Sequence, residues 1–314
     1  MNIFLSSVRE PLQSLRSASF RMKALFCFGC VYIIWGTTYL GLRFAVETIP
    51  PVFMAGLRNT VCGCMFLGVY RLAGKQLRPS KEQWGMALLM GLIMVFLNNG
   101  ATAIAARMIP SGMMALLLSL IPLIMSMMEW MRPSGKRPAP IVFVSLIIGS
   151  IGIGILVEPA LHGAGHIRIE GVLLTLLAAL CWSSGSMIVK YHPTTADPQL
   201  FAGLQMLCGG VMTLIVSIGK GDIDGWSLAM VSAKSAWSFV YLVLFGSYIA
   251  YTAYLWLLRN VPPHYATNYA YINPIIAVCI GGWIGGEIIT LQTIIASCLI
   301  ICSVALPMLY RKRV

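Results

Sequence analysis

Apolar residues in this chain come in long blocks rather than in alternation. Ten blocks cover about residues 24–45, 52–71, 84–105, 110–131, 140–157, 171–189, 199–218, 236–258, 264–284 and 289–309. Each is long enough for a helix to cross a hydrocarbon core about 30 Å thick, whereas membrane strands are shorter and alternate. Proline punctuates the short connections at Pro50-Pro51, Pro110, Pro133, Pro138, Pro198 and Pro262-Pro263. The longest connection, 219–235, gathers Lys220, Asp222, Asp224 and Lys234. The pattern predicts an all-α polytopic membrane protein with ten transmembrane helices.

Composition agrees. The chain is 58% hydrophobic and 10% charged, against about 25% charged in a soluble domain. The net charge of +12 raises nucleic acid as a partner, but the basic residues sit in short clusters between apolar blocks. They read as topology signals toward a lipid bilayer, not as a nucleic-acid surface. With the N-terminus inside, sixteen Lys and Arg fall in cytoplasmic segments, and four, Arg107, Arg168, Lys220 and Lys234, fall outside. Both termini are therefore expected to be cytoplasmic. Residues 1–23 read as a basic cytoplasmic tail or a weak interfacial helix, with Met1 or Met22 as the start, and not as a cleaved signal peptide. The nine cysteines all lie in apolar blocks and read as small buried hydrophobes; Cys27 and Cys30 lack the basic neighbours of a reactive pair.

The chain also repeats. Ala55-Gly56-Leu57-Arg58 returns as Ala202-Gly203-Leu204-Gln205, and a shift of 147 positions takes Trp35 to Trp182 and Arg43 to Lys190. Farther on, a shift of 152 takes Arg107 to Arg259, Pro110 to Pro262 and Pro122 to Pro274. Each half has five apolar blocks, an odd number, so the second half must lie upside down relative to the first. Inverted repeats place a transporter's substrate site near the midplane between the halves.

Two five-helix halves resemble the drug/metabolite transporter superfamily, in particular its EamA-type permeases. Trp35-Gly36-Thr37-Thr38-Tyr39-Leu40 with Arg43 is similar to the first-helix signature of that group, and Arg58 to its second-helix arginine. Pro274, Gly286-Glu287, Thr290 and Gln292 resemble its ninth-to-tenth-helix signature. The resemblance covers residues 24–157 and 171–309, two EamA-like repeats. The first half departs from the pattern: Gly135 and Lys136 stand where the second half has Gly286 and Glu287, and its carboxylate is Glu129. The resemblance implies export of amino acids, other metabolites or drugs.

Several polar residues fall inside apolar blocks. A charge in a membrane span marks function by default, so Arg58 either meets a substrate or snorkels to the outer surface. Arg43 is expected to pair with Glu47, one turn on. Asn98 and Asn99 need partners inside the bilayer, and either bind substrate or join helices; Gln205 poses the same choice. Tyr248, Tyr251, Tyr254, Asn268, Tyr269, Tyr271 and Asn273 form an aromatic and amide set, in which His264, Asn268 and Tyr271 share a helix face. Such a set suits a cavity for a small solute, or an interfacial aromatic belt. Trp35 and Trp182 line the same cavity or pack in the core. Pro122 and Pro274 are structural or gating positions. Glu287 is expected to cap the tenth helix. Gly149, Gly152 and Gly154, and Gly281, Gly282, Gly285 and Gly286, allow close packing within the bundle or in a homodimer.

No cofactor or metal is expected, since His162 and His166 share with Glu158 and Glu170 a Gly-rich loop whose sequence does not preorganise a metal site. No nucleotide or nucleophile motif occurs. The reading is an inner-membrane secondary transporter, an exporter of small organic metabolites such as amino acids, working by alternating access. Its rivals are a phosphorylated-sugar or nucleotide exchanger of the same superfamily, and an integral-membrane enzyme such as a lipid-modifying transferase. The cavity is expected between helices one, three, four, six, eight and nine, with five and ten packed together.

Overall fold

The computed structural model describes residues 18–133, 135, 137–161, 167–261 and 269–311. The regular structure among them is helical, without strands. Eight helices are long and apolar enough to cross a membrane: α1 Ser19–Ala45, α2 Pro51–Leu72, α3 Lys81–Ala105, α4 Ser111–Trp130, α5 Pro140–Glu158, α6 Ile169–Tyr191, α7 Pro198–Gly219 and α8 Ala233–Asn260. Two shorter apolar helices complete the chain, α9 Tyr269–Trp283 and α10 Leu291–Pro307. Proline opens α2 and α7 at the first turn, where its missing N–H costs nothing. Ser80 and Gln83 form a capping box at the start of α3, satisfying two amides that the helix leaves free. Pro122 interrupts α4 between the segments Ser111–Leu118 and Ile121–Trp130, as a residue lacking the ladder N–H must. Pro274 lies within α9 without ending it.

The most extensive pairings are α2 with α7 and α5 with α10. The other main contacts come in sets: α1 meets α8 and α9, α6 meets α3 and α4, α2 meets α8, α7 meets α3, and α4 meets α9. Exchanging each helix with the one five places away maps these contacts onto one another, while the α2–α3 and α1–α4 contacts have no comparable counterpart in the second half. The expected pairing of α5 with α10 is present. So is a feature that hydropathy alone does not announce: α2 and α7 form the most extensive helix pair of the bundle.

Glycine makes the central contact. A Cβ on Gly63 would lie 2.6 Å from the Leu207 amide nitrogen and 3.0 Å from the Gly203 carbonyl; one on Gly210 would lie 2.5 Å from the Thr60 nitrogen. In lipid, helix association rests on such close backbone approach rather than on expulsion of water. Gly149 and Gly152 seat α5 on Ser303 and Ile300 of α10 in the same way. The Gly281–Gly286 run does something else. It ends α9 at Gly286 (φ 63) and turns the chain so that the Glu287 amide donates to the Gly281 carbonyl (2.9 Å).

All nine cysteines are free, but Cys64, Cys279, Cys298 and Cys302 are exposed rather than buried. On an apolar helix face meeting lipid, a thiol is as much at home as in a protein core.

The packing carries a direct test. Gly63→Ala should lower stability by about 1–3 kcal/mol, because backbone cannot move aside for the new methyl group. Gly68→Ala, on the same helix with nothing within 4 Å, should be neutral or slightly stabilising. Thermal unfolding of the purified protein in detergent compares the two.

Candidate functional site

Arg58, Cys62 and Phe66 are spaced by four and share one face of α2. The Arg58 Nη2 donates to Asn99 Oδ1 on α3 (3.0 Å). The Asn99 amide reaches Asn59 Oδ1 and the Met94 carbonyl, both at 3.5 Å, while the Asn59 amide donates to the Ala55 carbonyl (2.8 Å). The Arg58 Nε is buried with no partner. Arg58 is surrounded by protein, yet part of its surface is still open to a water-sized probe.

The second half repeats the arrangement. Gln205 Nε2 on α7 donates to the Tyr251 hydroxyl on α8 (2.9 Å). The shifts of the sequence repeat take Arg58 to Gln205 and Asn99 to Tyr251, so one bond occurs twice, once with a cation. Each acceptor comes just after a π-helical stretch, Gly91–Leu97 in α3 and Leu242–Ile249 in α8, a device frequent at functional sites.

Aromatic rings continue this wall. Phe66 lies 4.7 Å from Tyr248 and 6.2 Å from Tyr251 between ring centroids. Tyr251 lies 6.2 Å from Tyr254, and Trp35 packs on Tyr254 (5.2 Å) and edge-on to Tyr269 (4.9 Å). The Trp35 indole donates to the Gly246 carbonyl (3.0 Å). Trp182 lies near the Tyr269 hydroxyl, so both repeat-related tryptophans approach one tyrosine. Like Arg58, these tyrosines lie deep yet keep open surface.

Matching ion pairs stand at the two ends of α4. At one end Arg43 of α1 meets Glu287 (2.7 Å). Glu287 also accepts from the Ser111 and Gly112 amides (2.7 and 3.3 Å), so it caps α4 and not the tenth helix. At the other end Lys190 of α6 meets Glu129 (2.8 Å), with the Tyr191 hydroxyl donating to the same carboxylate. The expected Arg43–Glu47 pair is absent, because Arg43 reaches across to the turn after α9; Glu47 pairs instead with Lys234. Arg107 donates to the Val46 and Ile49 carbonyls (2.6 and 3.3 Å), holding the chain that enters α2. Its repeat mate Arg259 approaches Asp197 (3.7 Å), which also takes Lys75 (3.0 Å), at the residue that enters α7.

Comparison with known proteins turns this geometry into a class. The model of the EamA-like transporter family matches residues 22–157 and again 169–309. The chain belongs to the EamA-like transporter family. It is 36% identical over 262 residues to the uncharacterized inner membrane transporter YedA of Escherichia coli (strain K12), covering 82% of this chain and 81% of that one. The uncharacterized transporter YvbV of Bacillus subtilis (strain 168) is 24% identical, with 87% and 88% covered. Protein PecM of Dickeya dadantii (strain 3937) is 24% identical, with 87% and 90% covered. A crystal structure with 18% identity superposes with a TM-score of 0.65 over 93% of this chain and 98% of that one, a likeness of fold.

Within this EamA-like transporter the expected site residues divide. Arg58, Asn99, Gln205, Tyr251, Trp35 and Trp182 come together. Asn98 does not join them: it is buried and donates to the Ala178 carbonyl (2.7 Å), tying α3 to α6. Tyr271 packs against the main apolar core instead of the aromatic wall. Asn273 is buried, and with its amide turned so that the nitrogen faces the Tyr32 carbonyl (3.1 Å) it ties α9 to α1. Asn268, His264, His162 and His166 lie outside the described residues. Tyr254 and Tyr269 enter the site although helical spacing favours Tyr271; the spacing of three between Tyr251 and Tyr254 is the signal that points to the first of them.

Asp197 gives the family geometry a pH handle. Burial opposes its ionisation, but bonds from Lys75 and the Gln199 amide and the charge of Arg259 outweigh it, so its pKa is held below the ordinary value. A carboxyl depressed on folding contributes stability that is present above its unfolded pKa, about 3.9, and is lost as pH falls through the folded value. Thermal unfolding between about pH 5 and pH 3 should show a smaller acid destabilisation in Asp197→Asn than in the wild type.

Proposed function

We propose that this EamA-like transporter is an inner-membrane secondary exporter of small organic metabolites, such as amino acids or related solutes, working by alternating access. Its ten helices form two inverted five-helix repeats, residues 24–157 and 171–309, with both termini cytoplasmic. The self-matching helix contacts and the paired ion bridges at opposite ends support the inverted arrangement. The transporter YedA, named for the inner membrane, supports the location.

The observation that carries the reading is the doubled bond, Arg58 to Asn99 and Gln205 to Tyr251, facing the interior between the halves. Arg58 orients a carboxylate of the solute through a charged, forked contact. Arg43–Glu287 and Lys190–Glu129 serve as the outer and inner latches, each breaking when its side opens. Trp35, Trp182, Gln205 and Tyr251 shape the remainder of the site.

The rival readings find less support. A phosphorylated-sugar or nucleotide exchanger wants several deep cations, and among the described residues only Arg58 is charged away from a helix end. A lipid-modifying transferase wants clustered acids or histidines at one membrane face, and among the described residues no group of three or more His, Cys, Asp or Glu gathers as a metal-holding cluster.

Two measurements test the proposal. In proteoliposomes, Arg58→Gln should transport an established substrate at least about tenfold more weakly, the value of one lost charged hydrogen bond, with Arg58→Lys between it and the wild type. Wild-type rates in the Gln variant would remove Arg58 from the site. For the topology, single cysteines at positions 107 and 259 should label from opposite sides of the membrane; labelling from one side would end the inverted reading.

A further inference from the structure

Charge balance narrows the solute. Nine of the ten carboxylates lie among the described residues, and each stands at a helix end or in a connection: Glu47, Glu82, Glu129, Glu158, Glu170, Asp197, Asp222, Asp224 and Glu287. Glu47, Glu129, Glu170, Asp197 and Glu287 pair with cations there. Among the described residues none comes within 4.0 Å of Arg58, whose only hydrogen bond is to a neutral amide and whose Nε is buried and unpartnered. Arg58 cannot shed its proton. Among the described residues Arg58 is therefore a positive charge without a neighbouring counter-ion, and desolvating such a charge is costly unless a counter-ion accompanies it.

We infer that the solute is to be found among the related solutes rather than the amino acids themselves: a monocarboxylate with a single negative charge and an aromatic body, and not a zwitterion or an amine. A carboxylate on the Arg58 fork fills the free Nε position and brings the pair to neutrality. A zwitterion would leave the net charge at +1, and an amine would raise it. The aromatic body follows from the walls. Cys62 and Phe66 follow Arg58 along one face of α2, the Phe66 ring lies 6.2 Å from that of Tyr251, and beyond Tyr251 stand Tyr254, Trp35, Tyr269 and Trp182. Rings of this kind favour stacked or edge-on partners. The electron-rich faces would also accept an ammonium, so ring and charge have to be separated by experiment.

Phenylacetate, phenylalanine and phenethylamine carry one ring with net charges of −1, 0 and +1 at neutral pH. This inference rests on the reading that Arg58 meets the solute, and the variants distinguish the two. Thermal stabilisation of the purified full-length protein reports binding, and counterflow of labelled phenylacetate in proteoliposomes reports transport. The wild type should bind phenylacetate about tenfold or more tightly than either of the others. Arg58→Gln should lose that preference, keep its unfolding temperature without ligand, and bind phenethylamine no worse than the wild type. Arg58→Lys should retain the order of preference with a smaller ratio. If phenylalanine or phenethylamine binds the wild type as tightly as phenylacetate, and Arg58→Gln weakens them, Arg58 meets solute but the charge rule is wrong. If Arg58→Gln leaves all three unchanged, both readings fall. Absence of stabilisation and counterflow by phenylacetate would also overturn the inference.

Discussion

The close approach of α2 and α7 through glycine governs much of what this protein presents to its interior. Where Gly63 meets the backbone at Leu207, and Gly210 meets it at Thr60, no side chain separates the helices. The large and polar groups of both helices are then turned aside, toward α3 and α8. Arg58 and Gln205 leave the glycine seam in this way and find Asn99 and Tyr251. In a bilayer, where apolar side chains gain little by meeting one another, this backbone contact also fixes how far apart the two halves stand.

Much of this was legible in the sequence because its causes are local. Block length and hydropathy announce the helices, proline marks the starts of α2 and α7, and lysine and arginine imply an orientation. The repeat pointed to Arg58, Gln205 and the two tryptophans as related positions, and in the structure Arg58 and Gln205 each bond across to the next helix in the same way. The illegible part depends on distance along the chain. Arg43 and Glu47 are neighbours in sequence, and one-turn spacing favoured their pairing. The turn at Gly286 instead delivers Glu287 from 244 residues away. Glu129 looked unrelated to Glu287 because the sequence offset fails there, yet it pairs with Lys190 at the opposite end of α4.

Asparagine was the least readable residue type. Asn98 and Asn99 are adjacent, so a helix turns them about 100° apart, and one faces α6 while the other faces Arg58. Sequence marks both as polar groups in need of partners and cannot say which faces inward. Tyr269 and Tyr271 pose the same problem across two residues, and the side that meets Trp35 and Trp182 was the one passed over.

The π-helical stretches ahead of Asn99 and Tyr251 make the site a matter of phase. A π turn accommodates one residue more than an α turn. Rewinding either stretch, Gly91–Leu97 or Leu242–Ile249, to α at constant length would rotate its C-terminal part by about 100° relative to its N-terminal part, and Asn99 or Tyr251 would leave its partner. Removing one residue within the stretch as the turn rewinds would instead keep the two parts in phase. The helix would still span, and its hydropathy would scarcely change. In chains of this build, a one-residue gap that falls in either stretch keeps the same side chains facing their partners, whereas the same gap elsewhere in the helix turns a different set toward them.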